Sequence, residues 1–378
     1  MKSEPHARVG YEFPFMLSLE PTKNDASVTL NFLRAVAAQA VCIGHALNFG
    51  GYGSTFIPVD GVLLFFVLSG FLIAYTLDSK SKSPAYDIIE FGIERFARIY
   101  TAYLPAILLI GVVTVLMDRY GFEMKADPVD LKTFAGNLLM QQNVPCCLSV
   151  TTFGTAGQLT SIALEFHIYF FVGAMYFLLR GKRVLLCCLI AVPFSFMPLA
   201  YFTSAPNGSD RALFALWLLA FASYYVLKAV VEYRPSVPFW FMAFVLALAT
   251  WVIQRTPGDD ANLRQYPMLV LSFFSLVLVS QHIRVMPPRL GRLINSFADY
   301  SYSLFLVHLT AMRVIYRLWP DQSVLRVAFA IVVANVLGFV FAVLFERHYR
   351  RVADLMKSAL GRYLPERRRA AHRASPGA

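Results

Sequence analysis

The chain is written in long apolar runs joined by polar connectors. Ten runs reach or approach the roughly 20 residues that a helix needs to cross a hydrocarbon core about 30 Å thick. They are 28–48, 57–77, 100–117, 159–179, 184–203, 211–231, 238–253, 266–283, 298–318 and 324–346. Runs of this length predict helices, because in lipid a helix satisfies its own backbone. The seventh run is short, and Pro193 and Pro198 are expected to bend the fifth. No soluble domain or internal repeat interrupts the series. Residues 1–27 read as an N-terminal tail, 28–346 as one membrane domain and 347–378 as a basic C-terminal tail. The expected fold class is all-α, a polytopic integral membrane protein of about ten helices.

Composition agrees with that pattern. Of 378 residues, 57% are hydrophobic and 15% charged, against roughly 45–50% and about 25% in ordinary soluble domains. This excludes a single soluble core, a disordered chain and a collagen-like one. The net charge of +11 raises nucleic acid as a partner, but the basic residues sit in short connectors and not on a soluble module. With ten alternating helices, 23 Lys/Arg fall on the side of the two termini and 6 on the other. The positive-inside bias then predicts cytoplasmic termini and an external 118–158 connector. That connector, the longest, is either a contact for a bulky acceptor or a plain link. A bilayer is the expected partner, and no nucleic acid is. The run 13–19 has acidic neighbours and no small-residue cleavage pattern, so the first spanning helix is expected to direct insertion. Cys42, Cys187 and Cys188 fall in apolar runs, and Cys146 and Cys147 adjoin in a connector. Their spacing matches no zinc site or disulfide framework, so apolar filling is expected of them and no metal.

Ionisable groups inside spanning helices are costly and tend to face a cavity or a partner. The first run holds Arg34 and His45. Eleven residues at 100° each make three turns plus about 20°, so the two share a face about 16 Å apart. Arg34 is expected near the cytoplasm and His45 towards the exterior, along one cavity. The alternative is an arginine snorkelling to lipid phosphates and an interfacial histidine. In the second run, Ser69-Gly70 lets a helix or a thin ligand approach the backbone closely, and Asp60 is placed to cap the outer end. Arg95 and Arg98, three apart, are neighbours on a helical surface at the mouth of the third run. They suit a phosphorylated ligand, or serve as positive-inside anchors. Glu165 lies some six residues into the fourth run, which enters from outside, and so is expected at the depth of His45. A carboxylate and an imidazole at one depth make the base-and-orienter pair that acyl transfer needs. His308 lies near mid-membrane as a further candidate, whereas His167, two positions from Glu165, points elsewhere and reads as packing.

These segments, in this order, resemble the acyltransferase-3 family of integral membrane acyltransferases. The resemblance rests on the Arg-x10-His of Arg34 and His45, on Phe65-Phe66-Val67-Leu68-Ser69-Gly70-Phe71-Leu72-Ile73, and on Arg95-Phe96-Ala97-Arg98-Ile99-Tyr100. Leu164-Glu165-Phe166-His167-Ile168-Tyr169, Ser301-Tyr302-Ser303-Leu304-Phe305-Leu306-Val307-His308 and Phe345-Glu346-Arg347 add to it. The chain departs at Thr101, where the family often has proline, and at Thr160, where it often has tryptophan. The resemblance implies about ten helices in a bacterial inner membrane. It implies transfer of an acyl group, commonly acetyl, from cytoplasmic acyl-CoA to a hydroxyl of a carbohydrate or glycolipid, such as a surface polysaccharide or lipo-oligosaccharide. Acyl-CoA is then a donor substrate, and no permanently bound cofactor is expected.

The chemistry agrees with the residues. A sugar hydroxyl is a poor nucleophile and needs a base such as imidazole. His45 is expected as that base and Glu165 as its helper. Arg34, Arg95 and Arg98, with Ser69 and Gly70, are expected to hold the donor, whose long arm reaches up to His45. A transporter or flippase for a glycolipid or small polar solute, with His45, Glu165 and His308 as a proton relay, is the competing reading. Transporters more often show paired halves or broken helices, which this chain lacks. A catalytically silent scaffold leaves the shared-face polar groups unexplained.

Overall fold

The apolar runs fold as helices. The computed structural model describes residues 19, 24–53, 56–122, 124, 126–145, 150–203, 211–231, 236–255 and 263–360, with backbone alone for 361–363. The helices are α1 (Ala26–Phe49), α2 (Ile57–Lys80), α3 (Ile88–Arg119), α4 (Leu131–Leu138), α5 (Leu159–Leu179), α6 (Val184–Ala200) and α7 (Leu213–Val231). Then come α8 (Val237–Gln254), α9 (Tyr266–His282), α10 (Pro288–Ala298), α11 (Ser301–Leu318), α12 (Val324–Leu344), a 3-10 turn (Glu346–His348) and α13 (Tyr349–Tyr363). Each of the ten apolar runs lies on one long helix. Among the described residues, seven helices are long and apolar enough to cross a membrane: α1, α2, α3, α5, α7, α8 and the one beginning with α12. α6 and α9 are apolar but shorter, and α6 continues as helix through both of its prolines. α11 is the polar member, and it buries Ser301, Ser303, His308 and Thr310 inside the bundle.

Contacts between helix ends fix the directions. Arg183 pairs with Asp87 at 2.6 Å and Lys228 with Asp78 at 2.8 Å. Lys357 sits between Glu90 and Glu94, 2.8 Å from each. These pairs gather the start of α3 and the ends of α2 and α7 at one end of the bundle, here the basic end. At the other, the loop end, Arg255 pairs with Asp60 at 2.9 Å. Asp60 is therefore not the expected cap. α2 begins at Ile57 after Phe56, so Asp60 already lies inside the helix. There its charge meets the helix dipole and a buried arginine.

α3 starts twelve residues earlier than the apolar run does. Asp87 caps it by accepting from the backbone N–H groups of Ile89 and Glu90 at 3.0 and 3.1 Å. At 1.5 Å per residue its 32 residues span about 48 Å, longer than a hydrocarbon core. Its first turns are covered by α13, where Ala353 packs on Ile93 and Ala97 with Val352, Met356 and Leu360 alongside. The segment expected as a tail therefore begins as a docked amphipathic helix. α10 is likewise a separate helix before α11, tied to α1 by Asn31 donating to Asn295 at 2.9 Å.

α2 is the buried centre. Leu63, Phe66, Val67, Phe71, Ile73, Ala74 and Leu77 are enclosed, between α1 and α7. Two glycines permit this closeness. A Cβ on Gly61 would stand 2.7 Å from the Ala37 carbonyl oxygen, and one on Gly70 2.4 Å from that of Trp217. On α8, by contrast, the buried residues are Ala247 and Trp251, while Phe239, Phe241, Met242, Leu246 and Ile253 are exposed. An apolar face this broad belongs against lipid.

The 118–158 connector is folded onto the loop end. It carries α4 and one isolated bridge between Gln142 and Val150. Buried Gln142 donates to the Leu159 carbonyl at 3.0 Å, and Gln158 to that of Leu306 at 2.7 Å. The Thr155 and Thr310 hydroxyls meet at 2.8 Å. Cys146 and Cys147 lie outside the described residues.

Candidate active site

Inside the bundle, a cavity with about 910 Å³ of empty space, part of it open, lies between α1, α2, α3, α5 and α11. It runs from Arg34, Arg95, Arg98 and Tyr302 at the basic end towards Val62, Ser161 and Glu165. Arg34 comes from the third turn of α1. Arg95 and Arg98 come from the cap-started part of α3, and Ser69 from α2, one residue before its close contact with α7. Five of the residues expected from sequence thus meet in one space: Arg34, Arg95, Arg98, Ser69 and Glu165.

The three arginines are held differently. Arg98 pairs with Glu346 at 2.8 Å and lies over the rings of Tyr302 and Tyr349. Buried Glu346 also accepts from the backbone N–H and hydroxyl of Ser303, at 3.0 and 2.7 Å. Arg95 lies over Phe91, and its buried Nε has no hydrogen-bond partner. Among the described residues Arg34 and Arg95 make no ion pair. Three arginines against one lining carboxylate, Glu165, leave a net positive space suited to an anionic ligand.

Glu165 belongs to this cavity. It accepts the hydroxyl proton of Tyr169, whose oxygen contacts Ser69 Oγ at 2.9 Å. Trp217 Nε1 donates to the same Ser69 at 3.0 Å. The hydrogens therefore run one way, from indole to serine to tyrosine to carboxylate. Gly70 is absent from the cavity wall. Its role is the close approach of α2 to the α7 backbone, which corrects its expected place among donor ligands.

His45 is elsewhere. Its ring centroid lies 5.4 Å from that of His308, with the planes at 33°, and 6.4 Å from that of Phe49. The expected pairing of His45 with Glu165 gives way to a pair of histidines. The reason is helix adjacency: α1 is flanked by α2, α10, α11 and α12, whereas α5 packs on α6, α3 and α2. The depth expected from counting did not make them neighbours. His308, the further candidate, adjoins His45. Phe305, which lines the cavity, lies 5.9 Å from His308 and 5.7 Å from Phe65. Phe305 thus touches both the cavity and His308. His167, expected as packing, bonds the Met140 carbonyl at 3.0 Å.

A family model described as an acyltransferase domain matches residues 28–345. The chain belongs to the acyltransferase-3 family. No curated protein and no solved structure matches it. In this membrane acyltransferase, sequence reasoning missed Tyr169, Tyr302 and Glu346 as site residues. Tyr169 was findable, because it stands four residues after Glu165 and so above it on the same helix face. Glu346 ends an apolar run, where a carboxylate is out of place unless a cation awaits it.

Proposed function

We propose that this acyltransferase moves an acyl group, acetyl in the simplest case, from acyl-CoA to a hydroxyl of a carbohydrate or glycolipid. The observation that carries the reading is the arrangement along α1: an arginine-lined cavity at one end and His45 three turns on, beside His308, which Phe305 joins to that cavity. Arg34, Arg95 and Arg98 bind the phosphates of the donor, and the pantetheine arm extends along the cavity. His45 takes the proton of the acceptor hydroxyl as its oxygen attacks the thioester carbon. The tetrahedral adduct develops negative charge on its oxygen and needs donors close by. Glu165 acts in the donor cavity, where its bond with Tyr169 orders the wall.

This reading carries an orientation. Donor made in the cytoplasm enters at the basic end, which favours cytoplasmic termini in a bacterial inner membrane and an acceptor at the loop end. The positive-inside count supports it. The test uses purified full-length protein in lipid nanodiscs with radiolabelled acetyl-CoA and the cells' own glycolipid and polysaccharide extract. Label should pass to an alkali-labile ester on the glycan fraction. Intact acetyl-CoA with an unlabelled glycan would contradict it.

A further inference from the structure

His308 is wholly buried on α11. Its Nδ1 lies 3.1 Å from the Leu304 carbonyl oxygen and 2.9 Å from that of Phe305. A carbonyl only accepts, so Nδ1 carries the proton and the neutral ring keeps its lone pair on Nε2. That Nε2 is buried and has no hydrogen-bond partner. Unmet buried acceptors are uncommon and call for an explanation. The polar ring beside it is His45, at a centroid distance of 5.4 Å. Phe305 backs His308 from the cavity side. The connector locks α11 on either side of it, through Gln158 at Leu306 and Thr155 at Thr310. The lone pair is therefore fixed in place by the backbone and not by a mobile side chain.

We propose that His308 is a positioning residue for His45: its Nε2 accepts the N–H of His45, directly or through one water. This bond selects the His45 tautomer whose other nitrogen is unprotonated and turned to the acceptor hydroxyl. The inference rests on the acyl-transfer reading and extends it. The hydroxyl oxygen bonds to the thioester carbon while its proton passes to the free nitrogen of His45. His45 is then an imidazolium, with its other N–H still held by His308. Collapse of the adduct breaks the carbon–sulfur bond, and the same proton goes to the departing sulfur as CoA thiol. Both rings end neutral, and His308 never changes charge. A neutral acceptor suits this place, since a carboxylate there would be a buried charge among aromatic rings.

The test compares His308→Leu with His308→Gln in the nanodisc assay, with acetyl-CoA as donor and the glycan extract as acceptor. Leucine fills the volume but accepts nothing, so kcat should fall about 10- to 100-fold, as when an orienting partner is removed, with KM for acetyl-CoA unchanged. Glutamine offers Oε1 to the same N–H and should restore most of the rate. A packing role would make the two variants alike. Wild-type kcat in His308→Leu, or a His308→Gln as impaired as the leucine variant, overturns the proposal. A measurement that needs neither variant is the two-bond 1H–15N spectrum of histidine-labelled protein, assigned by replacing the other histidines. His308 should show the Nδ1–H form, and an Nε2–H form removes the acceptor and overturns the proposal. His45→Ala separates the layers: continued transfer by it fells the acyl-transfer role of His45 and this inference together. A dead His45→Ala beside a normal His308→Leu fells this inference alone.

Discussion

α1 and α11 each serve two polar regions of opposite character. Towards the basic end, Arg34 of α1 and Tyr302 of α11 line a partly open cavity where Arg98, Arg95 and Glu165 supply charge. His45, three turns along α1, and His308, under two turns along α11, meet among Phe49 and Phe305. Their partners there are backbone carbonyls and aromatic rings. The first region keeps charges in place with partners: Glu346 for Arg98, Tyr169 for Glu165. The second holds His308 in place with main-chain carbonyls and sets His45 beside it. Binding an anionic donor calls for permanent charge near water. Proton transfer calls for an imidazole that can accept a proton, and in the proposed reading α1 carries the two groups about 16 Å apart.

The largest effect that separates the regions is expected at His45. His45→Ala should lower transfer by about 100- to 10,000-fold, the usual cost of a positioned base, in protein of normal thermal stability. Arg98→Ala should instead destabilise the fold, because Glu346 is left buried with Ser303 alone. Breaking a buried pair costs about 3–5 kcal/mol, read as a fall in thermal midpoint that Glu346→Gln partly restores in the double variant. An equal loss in the double variant would show that Arg98 does not balance Glu346. Gly70→Ala comes next, at about 1–3 kcal/mol for overpacking against α7. Its signature is lower stability with an unchanged KM for acetyl-CoA, and a raised KM would return Gly70 to the donor site. The smallest change belongs to Glu165→Gln, which keeps an acceptor for Tyr169. It should cost about 0.5–1.5 kcal/mol in donor KM and leave kcat near normal; a kcat loss as large as that of His45→Ala would tie Glu165 to the base after all.

The sequence carries the helices of its apolar runs because such runs are long-period signals that no neighbour can overwrite, although among the described residues seven are long and apolar enough to cross a membrane. It hid the start of α3, whose residues 88–99 mix charge with apolar positions, although Asp87 with Glu90 three residues later is an N-terminal signature. It hid α13 for a similar reason. Nine basic residues after Glu346 read as a tail, while Val352, Ala353, Met356 and Leu360 keep helical spacing. The donor side was legible by residue type: Arg34, Arg95, Arg98 and Ser69 share a space, and Glu165, expected beside His45, joins them there instead. Which helix stands beside which was not legible. Depth along an axis follows from counting, but adjacency follows from packing such as Gly61 on α1 and Gly70 on α7. That is why His45 meets α11 and not α5, and why Asp60 answers Arg255 in place of a helix cap.

The central claim, that donor binding and proton transfer reside in separate regions of α1, is tested most directly by measuring both functions on two variants. Acetyl-CoA affinity and saturated kcat are determined for Arg34→Ala and His45→Ala in nanodiscs. Arg34→Ala should bind acetyl-CoA about 10- to 150-fold more weakly, the worth of one charge-assisted contact, yet approach wild-type kcat at saturation. A lysine at position 34 should recover part of the binding, since it lacks the bidentate fork. His45→Ala should bind acetyl-CoA with wild-type affinity and transfer about 100- to 10,000-fold more slowly. Loss of donor binding in His45→Ala, or unchanged binding in Arg34→Ala, would contradict the division.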